Sequence, residues 1–462
     1  MKSKTIYACQ HCGFTAPRWT GKCPSCGEWN TMIQEVQHTG TMRASHRLLP
    51  HNQATQRSSP VALSDIEHND IERIHTGIAE LDRVLGGGIM RGAITLVGGD
   101  PGIGKSTLML QMCAHLSSHA PLYITGEESL QQIKSRAHRL NIDSSGLRAL
   151  AETNVETIID VIRTSSIGVA IIDSIQTLFR STIDSVPGSV VQIRECAALL
   201  MNAAKTLNTP IFLIGHVTKD GTIAGPKVLE HIVDTVLQFE GEQIYSYRII
   251  RATKNRYGST NEIGVFDMSE RGLREVSNPS EVFLSQRHAD EPGTAVVAAM
   301  EGSRPLLVEV QALVTPTSYN VPQRSATGLD YRRLQMILAV LEKRLGVALG
   351  KHDVFVNIAG GLRLDDPAID LGVAAAIVSS FRDIPIHADT VLIGEIGLTG
   401  EVRAVSSIEQ RVNEAHKLGF TTILLPEANM KRFATPPLRT LRPANRILPA
   451  LLSALRESTP TA

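Results

Sequence analysis

The sequence predicts an α/β protein in three parts: a small cysteine-rich module, a domain built on a largely parallel sheet, and a second α/β domain. Three observations predict it. Two C-x-x-C pairs lie within the first 26 residues. An apolar strand at Ile94 to Val97 runs into a glycine-rich turn and then an apolar helical run. Beyond that turn, strand-like and helix-like segments alternate.

At 462 residues the chain is too long for one core and suggests two or three domains. Its 46 Lys and Arg balance its 46 Asp and Glu, so a polyanion must be gripped by a local patch and not by the global field. No apolar run reaches the length of a membrane span, and Met1 to Phe14 lacks a signal-peptide apolar region. A cytoplasmic location is expected. In a reducing compartment clustered cysteines point to a metal and not to disulfides; Cys113 and Cys196 fall in apolar helical stretches instead.

Residues 1–32 form the first part. Cys9-x-x-Cys12 and Cys23-x-x-Cys26 can each present two thiolates to one tetrahedral Zn²⁺, which gives a closed, structural Cys₄ shell. Gly13 and Gly27 follow the second cysteine of each pair, and Lys22 softens the negative charge. Trp19 and Trp29, the only tryptophans, are expected to form the module's miniature core; stacking on a base is the alternative. Residues 33–65 turn polar and aperiodic and read as a linker. Over residues 1 to 60, seven cations (Lys2, Lys4, Arg18, Lys22, Arg43, Arg47, Arg57) face Glu28 and Glu35, a bias that fits either a nucleic-acid arm or a solvated linker.

Residues 66–278 form the nucleotide-binding domain. Thr76-Gly77-Ile78-x-x-Leu81-Asp82 and Gly86-Gly87-Gly88 lead into the strand before the glycine-rich turn. There Gly99, Asp100, Pro101, Gly102, Ile103, Gly104, Lys105 and Ser106 spell G-x-x-x-x-G-K-[ST], followed by Thr107. Such a loop points several backbone N–H groups at one anion, and the helix behind it adds its positive end. Lys105 would reach the β and γ phosphates of ATP, and the Ser106 hydroxyl would hold Mg²⁺.

Two later strands end in acids. The run Val169 to Asp173 is apolar until it meets a carboxylate, which suits Asp173 to be the second Mg²⁺ anchor. The strand Leu122 to Gly126 ends in Glu127-Glu128. Adjacent side chains on a strand point to opposite faces, so one glutamate would face the γ-phosphate and activate water; Glu127 is the expected one.

With these motifs, and Lys254-Asn255-Arg256-Tyr257-Gly258 behind them, the chain resembles the RadA (Sms) family of bacterial recombination and DNA-repair ATPases, whose core is RecA-like. That family usually has Phe where this chain has Tyr257. The resemblance implies a DNA-dependent ATPase, a homo-hexameric ring acting on single-stranded DNA and branched recombination intermediates, and a RecA-type recombinase as partner. It also implies that Lys254 and Arg256 complete a neighbouring subunit's site, as arginine fingers do. By position, Arg180 to Arg194 and Lys219 to Lys227 resemble the two DNA-binding loops of RecA-type proteins, with Arg180, Lys219 and Lys227 as candidate contacts. His216 could sense the γ-phosphate or be structural.

Residues 279–462 resemble the proteolytic domain of Lon proteases through Gly394-Glu395-Ile396-x-x-x-Gly400-x-Val402 and Ile423-Leu424-Leu425-Pro426. In Lon peptidases a serine and a lysine form the nucleophilic pair. This chain has Ala368 and Glu409 at the aligned positions, so the domain is expected to be proteolytically inactive. It would serve as a scaffold that assembles the ring or contacts DNA. Arg324, Arg332, Arg333 and Lys343 around its first helix could bind duplex DNA or form a solvated face.

Overall fold

The computed structural model describes residues 2–9, 14–25, 27–39, 72–215, 227–241, 247–285, 287–288, 290–318, 321–433 and 441–456. The chain divides into two compact units. One comprises 1–239, 250–260 and 268–273, and the other 240–249, 261–267 and 274–462.

The first strands form an antiparallel sheet of order β2-β1-β3, from β1 (Lys2–Cys9), β2 (Thr15–Ala16) and β3 (Met32–Thr39). Pairing runs from Lys2↔Thr39 to Cys9↔Met32. The expected linker therefore starts later than residue 33. Every residue of β1 finds a backbone partner on β3, and that ladder needs no apolar pattern of its own. Cys9, Ala16, Cys23 and Met32 make the small core. The tryptophans do not: Trp19 is 55% and Trp29 67% exposed, which corrects the expectation. A core already filled by two cysteines and a methionine has no room for two indoles.

Behind it come α1 (Ala79–Leu85), β4 (Ile94–Gly98), α2 (Lys105–His115), β5 (Pro121–Thr125), α3 (Leu130–Arg139), β6 (Arg148–Ala151), α4 (Val155–Thr164), β7 (Val169–Asp173), α5 (Val190–Leu207), β8 (Ile211–Ile214), α6 (Lys227–Ile232) and β9 (Thr235–Glu240). Strands β10 (Tyr247–Asn255), β11 (Ile263–Ser269) and β12 (Gly272–Glu275) complete a sheet of order β12-β11-β10-β9-β4-β8-β7-β5-β6. Strands β4, β5, β7 and β8 are buried along their whole length, as apolar runs covered by helices on both faces must be. The parallel register Thr125↔Asp173 sets the carboxyl ends of β5 and β7 level. Ligands of open α/β sheets bind at that edge.

The second unit contains α7 (Pro279–Leu284), β13 (Thr294–Glu301), β14 (Arg304–Pro316), β15 (Arg324–Thr327), α8 (Tyr331–Leu345), β16 (His352–Ile358), α9 (Asp370–Arg382), β17 (Thr390–Leu392), β18 (Glu395–Ile396), β19 (Val402–Arg403), α10 (Ile408–Lys417), β20 (Thr422–Pro426), β21 (Leu441–Ala444) and α11 (Ile447–Ala454). Its seven-stranded sheet has the order β15-β16-β14-β13-β17-β20-β21. Helix α9 is buried from Asp370 to Ser379. It lies against the sheet so closely that a Cβ on Gly372 would sit 2.0 Å from Val297 Cγ1. Among the described residues no helix is long and apolar enough to cross a membrane.

Candidate nucleotide site and its surroundings

The loop 99–104 joins the carboxyl end of β4 to the amino end of α2. Gly99 (φ +150) and Gly104 (φ +116) hold backbone conformations that L side chains rarely adopt, and a Cβ on Gly99 would strike Phe239 Cβ at 2.7 Å. Lys105 is 3% exposed, and its Nζ donates to the carbonyls of Gly99 (2.7 Å) and Asp100 (2.8 Å). Burial pushes this amine down from 10.5 to about 8, opposed by the charges of Asp173, Asp100 and Glu127. Asp173 ends β7, and Glu127 lies two residues beyond the end of β5. Ser106 follows in the first turn of α2.

Asp173 is 8% exposed and accepts a hydrogen bond from the buried Tyr123 hydroxyl at 2.6 Å. Burial, followed by the Asp173 charge, pushes the Tyr123 phenol well above its ordinary range. The peptide Asp173-Ser174 is cis. Ser174 Oγ donates to Glu127 Oε1 at 2.5 Å, which orients that carboxylate toward the Asp173 strand. Glu128 points elsewhere, into a contact with Arg136 of α3. The two glutamates part in the bend 126–128 beyond β5, and not by the strand alternation expected from the sequence. Sequence reading missed Tyr123 and Ser174; a tyrosine amid an apolar run was the only available signal for the former.

The Thr76 to Asp82 motif is a closed turn, in which Asp82 accepts from Thr76 N at 2.9 Å and Leu81 is fully buried. Asn255 donates to the carbonyls of Val84 (3.4 Å) and Leu85 (3.3 Å), and Arg73 Nη2 donates to Tyr257 O at 2.5 Å. These bonds tie the 254–258 segment to the end of α1. Lys254 Nζ donates to Glu230 O (2.5 Å) and Val233 O (2.7 Å), the carbonyls that end α6. Burial, then Arg256, pushes its amine down. Arg256 pairs at 3.1 Å with Asp234, which is itself buried and accepts from Ile94 N at 3.1 Å.

Arg180 is engaged by Glu156 and Glu195, each at 3.4 Å, and buried Gln192 holds its loop through Arg180 N, Ile183 O and Ser185 O. His216, Lys219, Cys12 and Cys26 lie outside the described residues, as does the side chain of Lys227, which opens α6. Cys9 and Cys23 are buried, with Cys9 N donating to Phe14 O and Cys23 N to Glu28 O, both at 2.8 Å. Gly27 N returns to Cys23 O at 2.9 Å with φ +77 at Gly27, the turn that a thiolate knuckle uses.

In the second unit Ala368 is fully buried, and Glu409 is exposed on α10. Helix α10 turns Arg411, 1% exposed, inward beside the apolar Ile408, Val412 and Ala415. It pairs with Asp366 at 2.6 Å and donates to Ala298 O (2.5 Å) and Ser406 O (3.0 Å). Arg333 clamps buried Asp370 through two bonds of 2.5 Å, and Arg324 donates to the carbonyls of His352 and Leu349. Neither is the outward-facing cation that a duplex contact needs, whereas Arg332 and Lys343 are exposed. The long arms of Arg324 and Arg333 reach back to backbone carbonyls and a buried carboxylate, a preference invisible in sequence.

Comparison with known proteins places these features. A family model described as a rubredoxin metal binding domain matches residues 7–34. Another described as KaiC matches residues 74–155, and one described as subunit ChlI of Mg-chelatase matches residues 330–429. A "DNA repair protein RadA" of Bacillus subtilis is 52% identical over 437 residues, covering 94% of this chain and 95% of its own length. The chain belongs to the RadA family. RadA proteins of Listeria monocytogenes and Brucella abortus are 49% and 51% identical, over 94% and 93% of this chain. The RecA-like ATPase fold, the zinc ribbon and the use of ATP and zinc are thus properties of a RadA-family chain, and the buried Cys9 and Cys23 fit the ribbon.

Proposed function

We propose that this RadA-family chain is a DNA-dependent ATPase of recombinational DNA repair, working in the cytoplasm as a homo-hexameric ring that moves on single-stranded DNA. Hydrolysis would extend strand exchange or branch migration at recombination intermediates delivered by a RecA-type recombinase. The observation that carries the catalytic part is the register Thr125↔Asp173, which sets the ends of β5 and β7 level and leaves Ser174 Oγ donating to Glu127 Oε1 at 2.5 Å, with buried Lys105 following the glycine loop after β4. Mg²⁺ bound by Ser106 and Asp173 would neutralise charge on the transferring phosphoryl group. Glu127, oriented by Ser174, would accept the proton of the attacking water. Lys105 would exchange its two loop carbonyls for phosphate oxygens. Lys254 or Arg256 would complete the site of a neighbouring subunit, with Arg180, Lys219 and Lys227 gripping the phosphate backbone of DNA.

The second unit serves this reading as a scaffold and not as a peptidase. Ala368 is buried and offers no nucleophile, and Glu409, where an activating amine would be needed, is an exposed carboxylate.

The test is ATPase and branch-migration activity with and without single-stranded DNA, in the native chain and in Lys105→Ala. DNA-stimulated hydrolysis that survives Lys105→Ala would sink the mechanism. A non-motor ATP switch is the second reading, favoured by one observation: Lys254 is engaged by carbonyls of its own chain. Good ATP binding without branch migration would select it.

A further inference from the structure

The surface of the zinc ribbon carries a feature that the ATPase site does not use. Its two tryptophans, the only two in the chain, are the most exposed large hydrophobic side chains among its described residues, at 55% and 67%. They are not scattered. Built on Gly21, a Cβ would lie 3.5 Å from Trp19 Cη2 and 3.7 Å from Trp29 Cζ3, so the benzo edges of both rings converge over that glycine. Trp19 is pinned by its Nε1–H, which donates to Met32 O at 3.2 Å. Trp29 carries the Lys22 ammonium 5.8 Å from its ring centre, and Arg18 is exposed beside Trp19. Glu28, also exposed, adjoins Trp29.

Exposed indoles carry a hydration penalty that a purely structural module has no reason to keep. Aromatic faces interleaved with cations are the composition of a stacking platform for unpaired bases. The charge favours that occupant: residues 1 to 60 hold seven Lys and Arg against two Glu. We infer that Trp19 and Trp29 form a stacking site for bases of single-stranded nucleic acid, with Lys22 and Arg18 on its backbone. The inference rests on the DNA-dependent reading above and assigns the zinc ribbon a direct part in it.

Because these are the only tryptophans, their emission in the intact, zinc-loaded protein reports this module alone. Titration with an oligothymidylate, excited where tyrosine does not absorb, should quench that emission to saturation. An oligonucleotide of equal length made of abasic sites should bind without comparable quenching. Trp29→Ala should weaken oligothymidylate binding about tenfold, while Trp29→Phe, which keeps a ring, restores most of it. Zinc content of each variant shows whether the ribbon still folds; if Trp29→Ala loses zinc, the abasic comparison on the native chain decides. Equal quenching by both oligonucleotides, no quenching at saturation, or native affinity in zinc-loaded Trp29→Ala would overturn the inference. DNA-stimulated hydrolysis in the same native samples separates the two readings: stimulation without quenching removes only the platform, and no DNA binding at all removes the parent reading.

Discussion

The sharpest consequence of the nucleotide site concerns Lys105. Its amine is buried and held at about 8 by desolvation. A phosphate chain would return it toward its ordinary 10.5, and that recovery is worth up to about 3 kcal/mol of coupling between proton and nucleotide. The sign follows. Below about 8 the amine is already protonated, and ATP binds without taking up a proton. Above it the free protein is deprotonated while the complex is not, so affinity should fall by up to about tenfold per pH unit, and about 300-fold in all. The same depression means that the nucleotide-free fold gains stability as pH rises from about 8 to 10.5, where the unfolded chain binds the extra proton. A fluorescent ATP analogue titrated from about pH 7 to about pH 10 reads the slope, and calorimetry in buffers of different ionisation heat reads the proton. Lys105→Arg keeps a charge throughout this range and should flatten the curve. An equally flat curve for the native chain, or an unchanged slope in Lys105→Arg, would refute the argument.

Other consequences bear on neighbouring groups. Glu127→Gln should lower the turnover number by about a hundredfold or more with nucleotide affinity little changed, while Glu128→Gln, which touches only the Arg136 contact, should cost far less; steady-state kinetics compare them. Ser174→Ala should lower turnover and spare ATP binding, since it removes the hydroxyl that orients Glu127. Arg411→Met should destabilise the second unit by about 3–5 kcal/mol by leaving Asp366 in a half-closed site without its cation, as denaturant unfolding would measure. Adding Asp366→Asn should return part of that loss. Chelating zinc should unfold the first sheet, with far-ultraviolet dichroism and tryptophan emission changing together.

Much of this molecule was legible from sequence because its signals are local. The glycine loop needs backbone positions that only glycine fills; buried parallel strands need unbroken apolar runs; thiolate pairs need their own spacing. Helix Val190–Leu207 buries Val190, Ile193, Ala197, Leu200 and Ala204, a helical spacing its sequence displays. Strand β6, Arg148–Ala151, has no such run because it is a half-exposed edge, and β3 extends through polar residues because its partner, not its composition, sets its length.

By itself, the sequence determined the loop, the acids that could serve it, the cysteine pairs and the absence of a nucleophile at Ala368. Tertiary structure decided the rest, for a physical reason: which way a side chain points depends on what lies across from it. Register between β5 and β7 brings Glu127 beside Ser174 and sends Glu128 to Arg136. Carbonyls at the end of α6 claim Lys254, and the carboxylates of Asp370 and Asp366 claim Arg333 and Arg411. A core too small for two indoles leaves both tryptophans facing water.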